Sequence, residues 1–121
     1  MKQESHLKVE THSIECEQNL LGAILVNNEA LALVDAIVRP EDFFEPLHSM
    51  IFDVAASMIR FGRAVTPITM RPHLPAQMEI TGDVTVAQYC ARLAAEAVTI
   101  VNAPDFARVV RDYSDRRALM A

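Results

Sequence analysis

Histidines, cysteines and carboxylates are the side chains of this 121-residue chain that could bind a metal or transfer protons. His12 and Cys16 are four residues apart, so on a helix they would share one face and could form half of a zinc site. A structural zinc site needs four ligands, and the sequence contains neither an HExxH pattern nor a second close His/Cys pair. The sequence therefore predicts no metal site.

Glu17, Asp42 and His48 are the residues that could converge in a cleft as the acid–base groups of a small hydrolase. Such chemistry needs carboxyl groups that face each other across a substrate, commonly about 5–10 Å apart on different elements. The close pairs Glu15/Glu17 and Glu41/Asp42 are instead typical of a first helical turn, where carboxylates offset the helix dipole. We expect no catalytic residue in this chain, and the hydrolase is kept as an alternative.

Nucleotide and nucleic-acid binding are both disfavoured by the composition. The chain has three scattered glycines and contains neither GxxxxGK[ST] nor GxGxxG, so no loop that could cradle a phosphate is predicted, and no cofactor either. The formal net charge is −5. An acidic surface repels a phosphate backbone, so this chain is not expected to bind nucleic acid directly.

Four arginines form the basic concentration of the sequence, and they lie close together near its end: Arg108, Arg111, Arg116 and Arg117. Asp112 and Asp115 have the spacing to neutralise some of them along a helix, which is typical of a solvated face. Two other interpretations stay open. The arginines could face a protein partner, or they could enter a groove as part of a stand-alone DNA-binding helical domain.

The sequence shows no sign of export or of membrane insertion. The opening MKQESHLKVETH contains no apolar segment typical of a signal peptide, and no run approaches the roughly 18 apolar residues that span a bilayer. We therefore expect a cytoplasmic protein in which Cys16 and Cys90 are reduced.

Apolar residues at helical spacing and an abundance of Ala, Leu, Met, Glu and Arg predict an all-α domain, a compact bundle of about five to six helices. Helices are predicted to begin at four capping residues: Ser13, Thr66, Thr85 and Asn102. Residues 1–12 are polar and lack the periodic apolar pattern of a helix or strand, so they are expected to form a flexible tail. Residues 13–101 are predicted to form the globular domain, and residues 102–121 its last helix.

Three local features follow from the spacing of the apolar residues. A helix from Leu47 to Phe61 should bury one face, and Gly62 should end it in a left-handed conformation. At least one of Phe43 and Phe44 should enter the core. After one short turn, the two prolines of ITMRPHLP predict irregular chain through Gly82-Asp83. The inward positions predicted for the Leu47–Phe61 helix are Leu47, Ile51, Val54, Met58 and Phe61.

The last helix has a predicted cap at Asn102, with Asp105 completing an approximate capping box. Its apolar stripe continues to the end of the chain, where no Gly or Pro signals a stop. That spacing predicts packing against another helix. The stripe consists of Phe106, Val109 or Val110, Tyr113 and Met120.

Several of these features occur in an order that resembles one known family. SIECEQNLLGAIL is similar to the Ser-x-Glu-Ala-Glu-Gln-x-x-Leu-Gly opening of the N-terminal domain of DnaB-type replicative helicases. The downstream segments DFF, His48-x-x-Ile-Phe, Gly62 with VTPIT, Tyr89 with Leu93, and Asn102 followed by FARVVRD resemble later family patterns. The likeness covers residues 13–121. It departs from the family at Cys16, at Thr66, and at the two prolines Pro72 and Pro75.

The resemblance implies a non-catalytic interaction domain. In this family the helical domain forms the collar of a hexameric helicase, packs with its neighbours as dimers, and receives the primase and in some systems a loader. It ends in a long helical hairpin, so residues 102–121 resemble the first arm of a truncated hairpin. The ATP- and Mg²⁺-dependent ATPase domain would follow and is absent here. The residues expected on a partner or self-association surface are Phe106, Val110, Tyr113, Arg116 and Arg117.

Overall fold

The computed structural model describes residues 10–75, 79–81, 84–97 and 100–121, and the described chain is predominantly helical. Its α-helices are α1 (Ile14–Val26), α2 (Ala30–Val34), α3 (Pro46–Arg60), α4 (Pro67–Met70), α5 (Val86–Ala95) and α6 (Ala103–Met120). Single 3₁₀ turns span Pro40–Asp42, Arg71–His73 and Ile100–Asn102. The prediction of an all-α domain is confirmed. Among the described residues, no helix has the length and hydropathy to cross a membrane.

A short antiparallel pair of strands lies in the segment that was predicted to be irregular. β1 (Glu79–Thr81) pairs with β2 (Val84–Thr85) immediately before α5. The single short turn predicted before it is confirmed as α4 and the following 3₁₀ turn. The prediction for Gly82-Asp83 itself lies outside the described residues. The strands are too short to change the fold class.

Three of the four predicted helix caps are confirmed. The side chains of Ser13, Thr66 and Thr85 accept hydrogen bonds from the backbone N–H of Cys16, Thr69 and Gln88, respectively. Each cap has an extended backbone, which places its oxygen over the first turn.

The predicted cap at Asn102 is wrong. Asn102 ends a 3₁₀ turn that runs directly into α6, with φ −89° and ψ 0°, so its side chain does not reach the first turn and makes no capping bond among the described residues. Asp105 therefore completes no capping box, and its carboxylate pairs with Arg108 at 3.1 Å instead. Burial of Ala103 holds the start of α6 against the domain.

The core is built around α1, which packs against α3, α5 and α6. Burial of this apolar surface is the main force that holds these helices together. Phe43 is buried and Phe44 is largely exposed, which confirms that one of the pair enters the core. The side chains at the centre of the core include Leu20, Leu21, Ile24, Ile51, Phe52, Cys90, Leu93, Ala107 and Val110.

The face of α3 that enters the core differs from the predicted stripe. Ile51 and Met58 are buried as expected, but the ring of Phe61 is 83% exposed. Phe61 follows the last turn of α3, and Gly62 then adopts φ +80°, so the chain turns away before the ring can pack. Leu47 and Val54 are half-buried at the rim, and the inner face instead contains His48, Phe52 and Ala55.

The end of the predicted flexible tail is attached to the domain. The backbone oxygens of Glu10 and Thr11 accept hydrogen bonds from side chains of α6, and the ring of His12 stacks on Phe44. The prediction of a free tail is therefore wrong for residues 10–12, because α6 supplies donors to their backbone. Residues 1–9 lie outside the described residues.

Gly22 lies where α1 and α5 approach most closely. A Cβ at this position would lie 2.5 Å from the carbonyl oxygen of Leu93 and 3.2 Å from the Cβ of Ala97. The first distance is far shorter than a van der Waals contact, and the neighbouring atom belongs to the backbone. Only glycine allows this helix pair to pack so closely.

We predict that Gly22→Ala lowers the free energy of unfolding by about 1–3 kcal/mol, as overpacking does, although alanine favours a helix. Urea unfolding followed by circular dichroism measures this change. Gly62→Ala is the matched control: no atom lies within 4 Å of its added Cβ, so the cost comes from the positive φ alone. A Gly22→Ala variant as stable as the wild-type protein would contradict the close helix contact.

We also predict that the core thiol makes folding sensitive to alkaline pH. Burial raises the pKa of Cys90 from 9.0 to about 11. The unfolded chain loses this proton first, so the stabilisation is complete below pH 9.0 and disappears as the pH rises towards 11. The stability difference between the wild-type protein and Cys90→Ala should shrink by about 2 kcal/mol across this window, with a limiting slope of about 1.4 kcal/mol per pH unit midway between the two pKa values. If the free energy of unfolding of the two proteins changes in parallel with pH, the proposed contribution of Cys90 is ruled out.

Candidate interaction surface and the buried network behind it

The carboxylate of Glu17 is buried on the inner side of α1, with only 1% of the residue exposed. One oxygen accepts a hydrogen bond from the backbone N–H of Phe44 at 2.7 Å. The other lies 3.3 Å from the backbone nitrogen of Glu45 and 2.8 Å from Nδ1 of His48. Three donors, two from the backbone before α3 and one from His48 in its first turn, therefore satisfy one buried carboxylate.

The network continues through His48 to α5. Nε2 of His48 lies 2.7 Å from the hydroxyl of Tyr89, and the amide of Gln18 donates to the same hydroxyl at 3.0 Å. Because Gln18 donates to it, the tyrosine can donate its own proton to Nε2 of a neutral His48, whose Nδ1–H then donates to Glu17. Burial raises the pKa of Tyr89, so the hydroxyl keeps this proton at neutral pH.

This arrangement does not form the catalytic cleft of the hydrolase alternative. Glu17 and His48 do meet, but both are buried and occupied by protein partners. Asp42 lies apart from them, where its carboxylate accepts from the backbone of Arg39 and from the hydroxyl of Ser114, both at 2.8 Å. In the part of the chain that the structure describes, every buried side-chain polar atom has a partner. The network therefore connects helices and leaves no group facing a substrate.

His12 and Cys16, the pair noted as possible halves of a zinc site, are each engaged by other contacts. The ring of His12 stacks on Phe44 with a centroid distance of 3.8 Å, and its Nδ1 contacts the hydroxyl of Thr11 at 3.0 Å. Cys16 is partly buried and packs against the core. Among the described residues, no three His, Cys, Asp or Glu side chains are grouped so that they could hold a metal ion.

The inner face of α6 belongs to the core. Val110 is only 2% exposed, so its prediction as a partner-contacting residue is wrong: α6 packs on α1 and α2 along the side that carries it. Phe106 is half-buried and also packs against the core, which leaves part of its ring at the surface.

The second half of α6 is held by polar contacts to the turn before α3. Ser114 donates to Asp42, and Arg117 donates to the backbone oxygens of Asp42 at 2.8 Å and Thr11 at 2.7 Å. The guanidinium of Arg117 also lies 5.5 Å from the ring centre of Phe44. Arg117, which was predicted to face a partner, is therefore half-buried and bound to its own domain.

The outer face of α6, which we define as Val109, Tyr113, Arg116 and Met120, points away from the core. The hydroxyl of Tyr113 donates to Glu10 at 2.7 Å, and this hydrogen bond raises the pKa of the tyrosine. The guanidinium of Arg116 lies 5.1 Å from the centre of the Tyr113 ring. Met120 is 59% exposed, and its neighbour Leu119 is 87% exposed.

A shallow cavity of about 180 Å³ lies along this face. It is lined by Val109, Asp112, Tyr113 and Arg116. Asp112 and Tyr113 each lie three or four positions from both Val109 and Arg116, so the four residues form one continuous strip of the helix surface.

The other arginines of α6 are paired with carboxylates on the same helix. Arg108 pairs with Asp105 at 3.1 Å, and Arg111 pairs with Asp115 at 3.0 Å. Asp115 was expected as such a partner, and that prediction is confirmed. These pairs neutralise two of the four arginines, which disfavours a free basic face for DNA.

The fold and the fully paired network define a small all-α domain, and comparison with known proteins identifies its family. A family model, DnaB-like helicase N terminal domain, matches residues 9–112. The replicative helicase DnaB of Rickettsia felis is 36% identical over 108 residues, which are 89% of this chain and 22% of that protein. DnaB of Geobacillus stearothermophilus is 33% identical over 115 residues, which are 93% of this chain and 25% of that protein.

Solved structures agree with this family. The N-terminal domain of DnaB helicase from Mycobacterium tuberculosis superposes with a TM-score of 0.80 at 25% identity, over 93% of this chain and 77% of that one. The corresponding domain from Helicobacter pylori has a similar fold, with a TM-score of 0.69 at 20% identity, over 99% of this chain and 90% of that one.

The chain belongs to the DnaB-like helicase N-terminal domain family. It spans about a quarter or less of the length of these relatives and corresponds to the non-catalytic part of the replicative helicase.

Sequence reasoning missed two features of the site. It treated Glu17 as a solvated first-turn charge, although this glutamate stands three, four and seven residues before the core residues Leu20, Leu21 and Ile24. A carboxylate on the apolar stripe of a helix was the available signal. The contact between Glu10 and Tyr113 joins residues 103 positions apart, and nothing in the local pattern indicates it.

We predict that Tyr89→Phe lowers the free energy of unfolding by about 1–2 kcal/mol, because Gln18 and Nε2 of His48 both lose their partner inside the protein. Tyr113→Phe is the matched control, since its hydroxyl bond lies at the surface and should cost less than about 0.5 kcal/mol. Urea unfolding of both variants measures the difference. Equal stabilities of the two variants would show that the network contributes nothing.

Proposed function

We propose that this chain is the collar domain of a hexameric replicative DNA helicase, where it mediates self-association and receives the primase and, in some systems, a helicase loader. The parent protein would unwind duplex DNA in the cytoplasm. ATP and Mg²⁺ would act in its ATPase domain, and this domain would need no cofactor of its own. The family and the share of each relative that the chain covers support this assignment.

The observation that carries the self-association proposal is the outer face of α6. It combines the exposed Met120 and the half-buried Val109 with a tyrosine and an arginine, the residue types that contribute most at protein interfaces. Exposed apolar surface is one mark of an association site, and on α6 Leu119 and Met120 supply it at the end of the helix. Of the residues predicted from the sequence, Tyr113, Arg116 and the exposed part of Phe106 remain available for this role.

Contact with primase is supported by a structural neighbour. The N-terminal domain of the Helicobacter pylori helicase was studied together with its interactions with primase. Direct binding of nucleic acid is not part of the proposal, because the chain is acidic and two of its four clustered arginines are paired within α6.

We predict that Tyr113→Asp weakens self-association about tenfold, because it places a desolvated charge in the centre of the contact. Sedimentation equilibrium across a concentration series measures the association, and circular dichroism should show the same helix content in variant and wild type. Phe61→Asp is the control, since it places the same charge at another aromatic surface residue, which is 83% exposed and lies at the end of α3.

Two results would overturn the collar role. One is an equal loss of association in Tyr113→Asp and Phe61→Asp, which would remove α6 as the specific surface. The other is a wild-type chain that stays monomeric at high concentration and also fails to bind the C-terminal domain of the cognate primase in a calorimetric titration.

A further inference from the structure

Residues 10–12, which we call the strap, cross the second half of α6. The strap is anchored at its inner end. Arg117 donates to the backbone oxygen of Thr11 at 2.7 Å, and the ring of His12 lies parallel to the ring of Phe44 with an interplanar angle of 5°. Because Arg117 also binds Asp42 and packs over Phe44, this end of the strap is tied to the domain itself.

The outer end of the strap lies on the outer face of α6. The carboxylate of Glu10 accepts the hydroxyl proton of Tyr113 at 2.7 Å, and the backbone oxygen of Glu10 accepts from Arg116 at 3.2 Å. Both hydrogen bonds are exposed to solvent. Exposed bonds of this kind contribute little each, so the strap can be displaced at low cost.

One exposed carboxylate beside the outer face of α6 makes no hydrogen bond to the described residues. Asp112 lines the shallow cavity beside Tyr113 and Arg116, yet it accepts no hydrogen bond from any residue that the structure describes. The acceptor Asp112 therefore lies on adjacent turns of α6 with the donors Tyr113 and Arg116. Both donors are hydrogen-bonded to Glu10. If two copies of α6 packed as a twofold-related pair, Asp112 of each copy would accept hydrogen bonds from Tyr113 and Arg116 of the other.

We infer that the strap is an autoinhibitory contact: Glu10 occupies Tyr113 and Arg116, and self-association requires Asp112 of a second copy of this chain to take its place. This inference rests on the proposed function, because the competing ligand is another copy bound to the outer face of α6. The exchange conserves hydrogen bonds, since the carboxylate of Asp112 replaces the Glu10 carboxylate at Tyr113 and the Glu10 backbone oxygen at Arg116. The apolar surface of Val109 and Met120 then provides the net gain.

The first test releases the strap. In the full chain, the double variant Glu10→Ala/His12→Ala removes the acceptor of Tyr113 and the stacking on Phe44, and it leaves α6 unchanged. Sedimentation equilibrium should show self-association about fivefold tighter than in the wild-type chain. Glu29→Ala removes an equal charge from another exposed position and should leave the association constant unchanged. Unchanged or weaker association of the double variant overturns the inference.

The second test changes Asp112, the acceptor proposed to replace Glu10. Asp112→Asn keeps the shape of the side chain but makes it a poorer acceptor for Arg116, so association should weaken about fivefold. The strap contact should persist in this variant. An association constant equal to that of the wild-type chain would show that Asp112 does not replace Glu10.

A third measurement reports the strap contact without any association. The hydrogen bond to Glu10 raises the pKa of Tyr113, so Glu10→Ala should lower that pKa, as followed by the tyrosine ring resonances in NMR spectra of dilute protein. An unchanged pKa means that the strap does not bind Tyr113 in solution, and the inference falls.

The outcomes separate this inference from the proposed function. If Tyr113→Asp weakens self-association but the strap variants leave it unchanged, only the inference is overturned. A chain that stays monomeric in both wild-type and strap-released forms overturns the inference together with the self-association part of the proposed function, whereas primase binding is tested separately.

Discussion

An ionised carboxylate cannot remain in an apolar core without donors, because an uncompensated buried charge costs several kcal/mol or more. Glu17 is held in such a core, and its donors come from the turn before α3 and from His48 on α3 itself. His48 is hydrogen-bonded to Tyr89 on α5, and Tyr89 in turn accepts a hydrogen bond from Gln18 on α1. The position of three helices relative to one another therefore depends on satisfying one carboxylate, and a shift of any of them would leave a buried polar group unpaired.

The same turn before α3 also determines where α6 lies. Its backbone donates to Glu17 on one side, while the carboxylate and backbone oxygen of Asp42 receive Ser114 and Arg117 of α6 on the other. The buried network is thereby connected to the helix whose outer face is the proposed association surface. In physical terms α6 has two sides: an inner side fixed by burial and by these bonds, and an outer side whose contacts with Glu10 are exposed and weak.

Much of the fold could be predicted because its signals are local. Ser13, Thr66 and Thr85 are caps whose oxygens bond within their own first turn, and Gly62 ends α3 by its own conformation. Predictions failed where an unrecognised turn or a distant contact decided the outcome. Asn102 lost its capping role because the preceding 3₁₀ turn directs the chain into α6, and Val110 moved from the predicted surface into the core because α6 packs along that side.

The amino-acid sequence by itself determined the class of fold, the helix starts and the family resemblance, since these depend on residue types at fixed short spacings. Only the tertiary structure decided what the charged residues do. Glu17 and Glu15 stand two positions apart in the same first turn, yet one is buried with three donors and the other is exposed. The reason is that the environment of a charge is set by segments 27 or more residues away, whose approach no local pattern encodes.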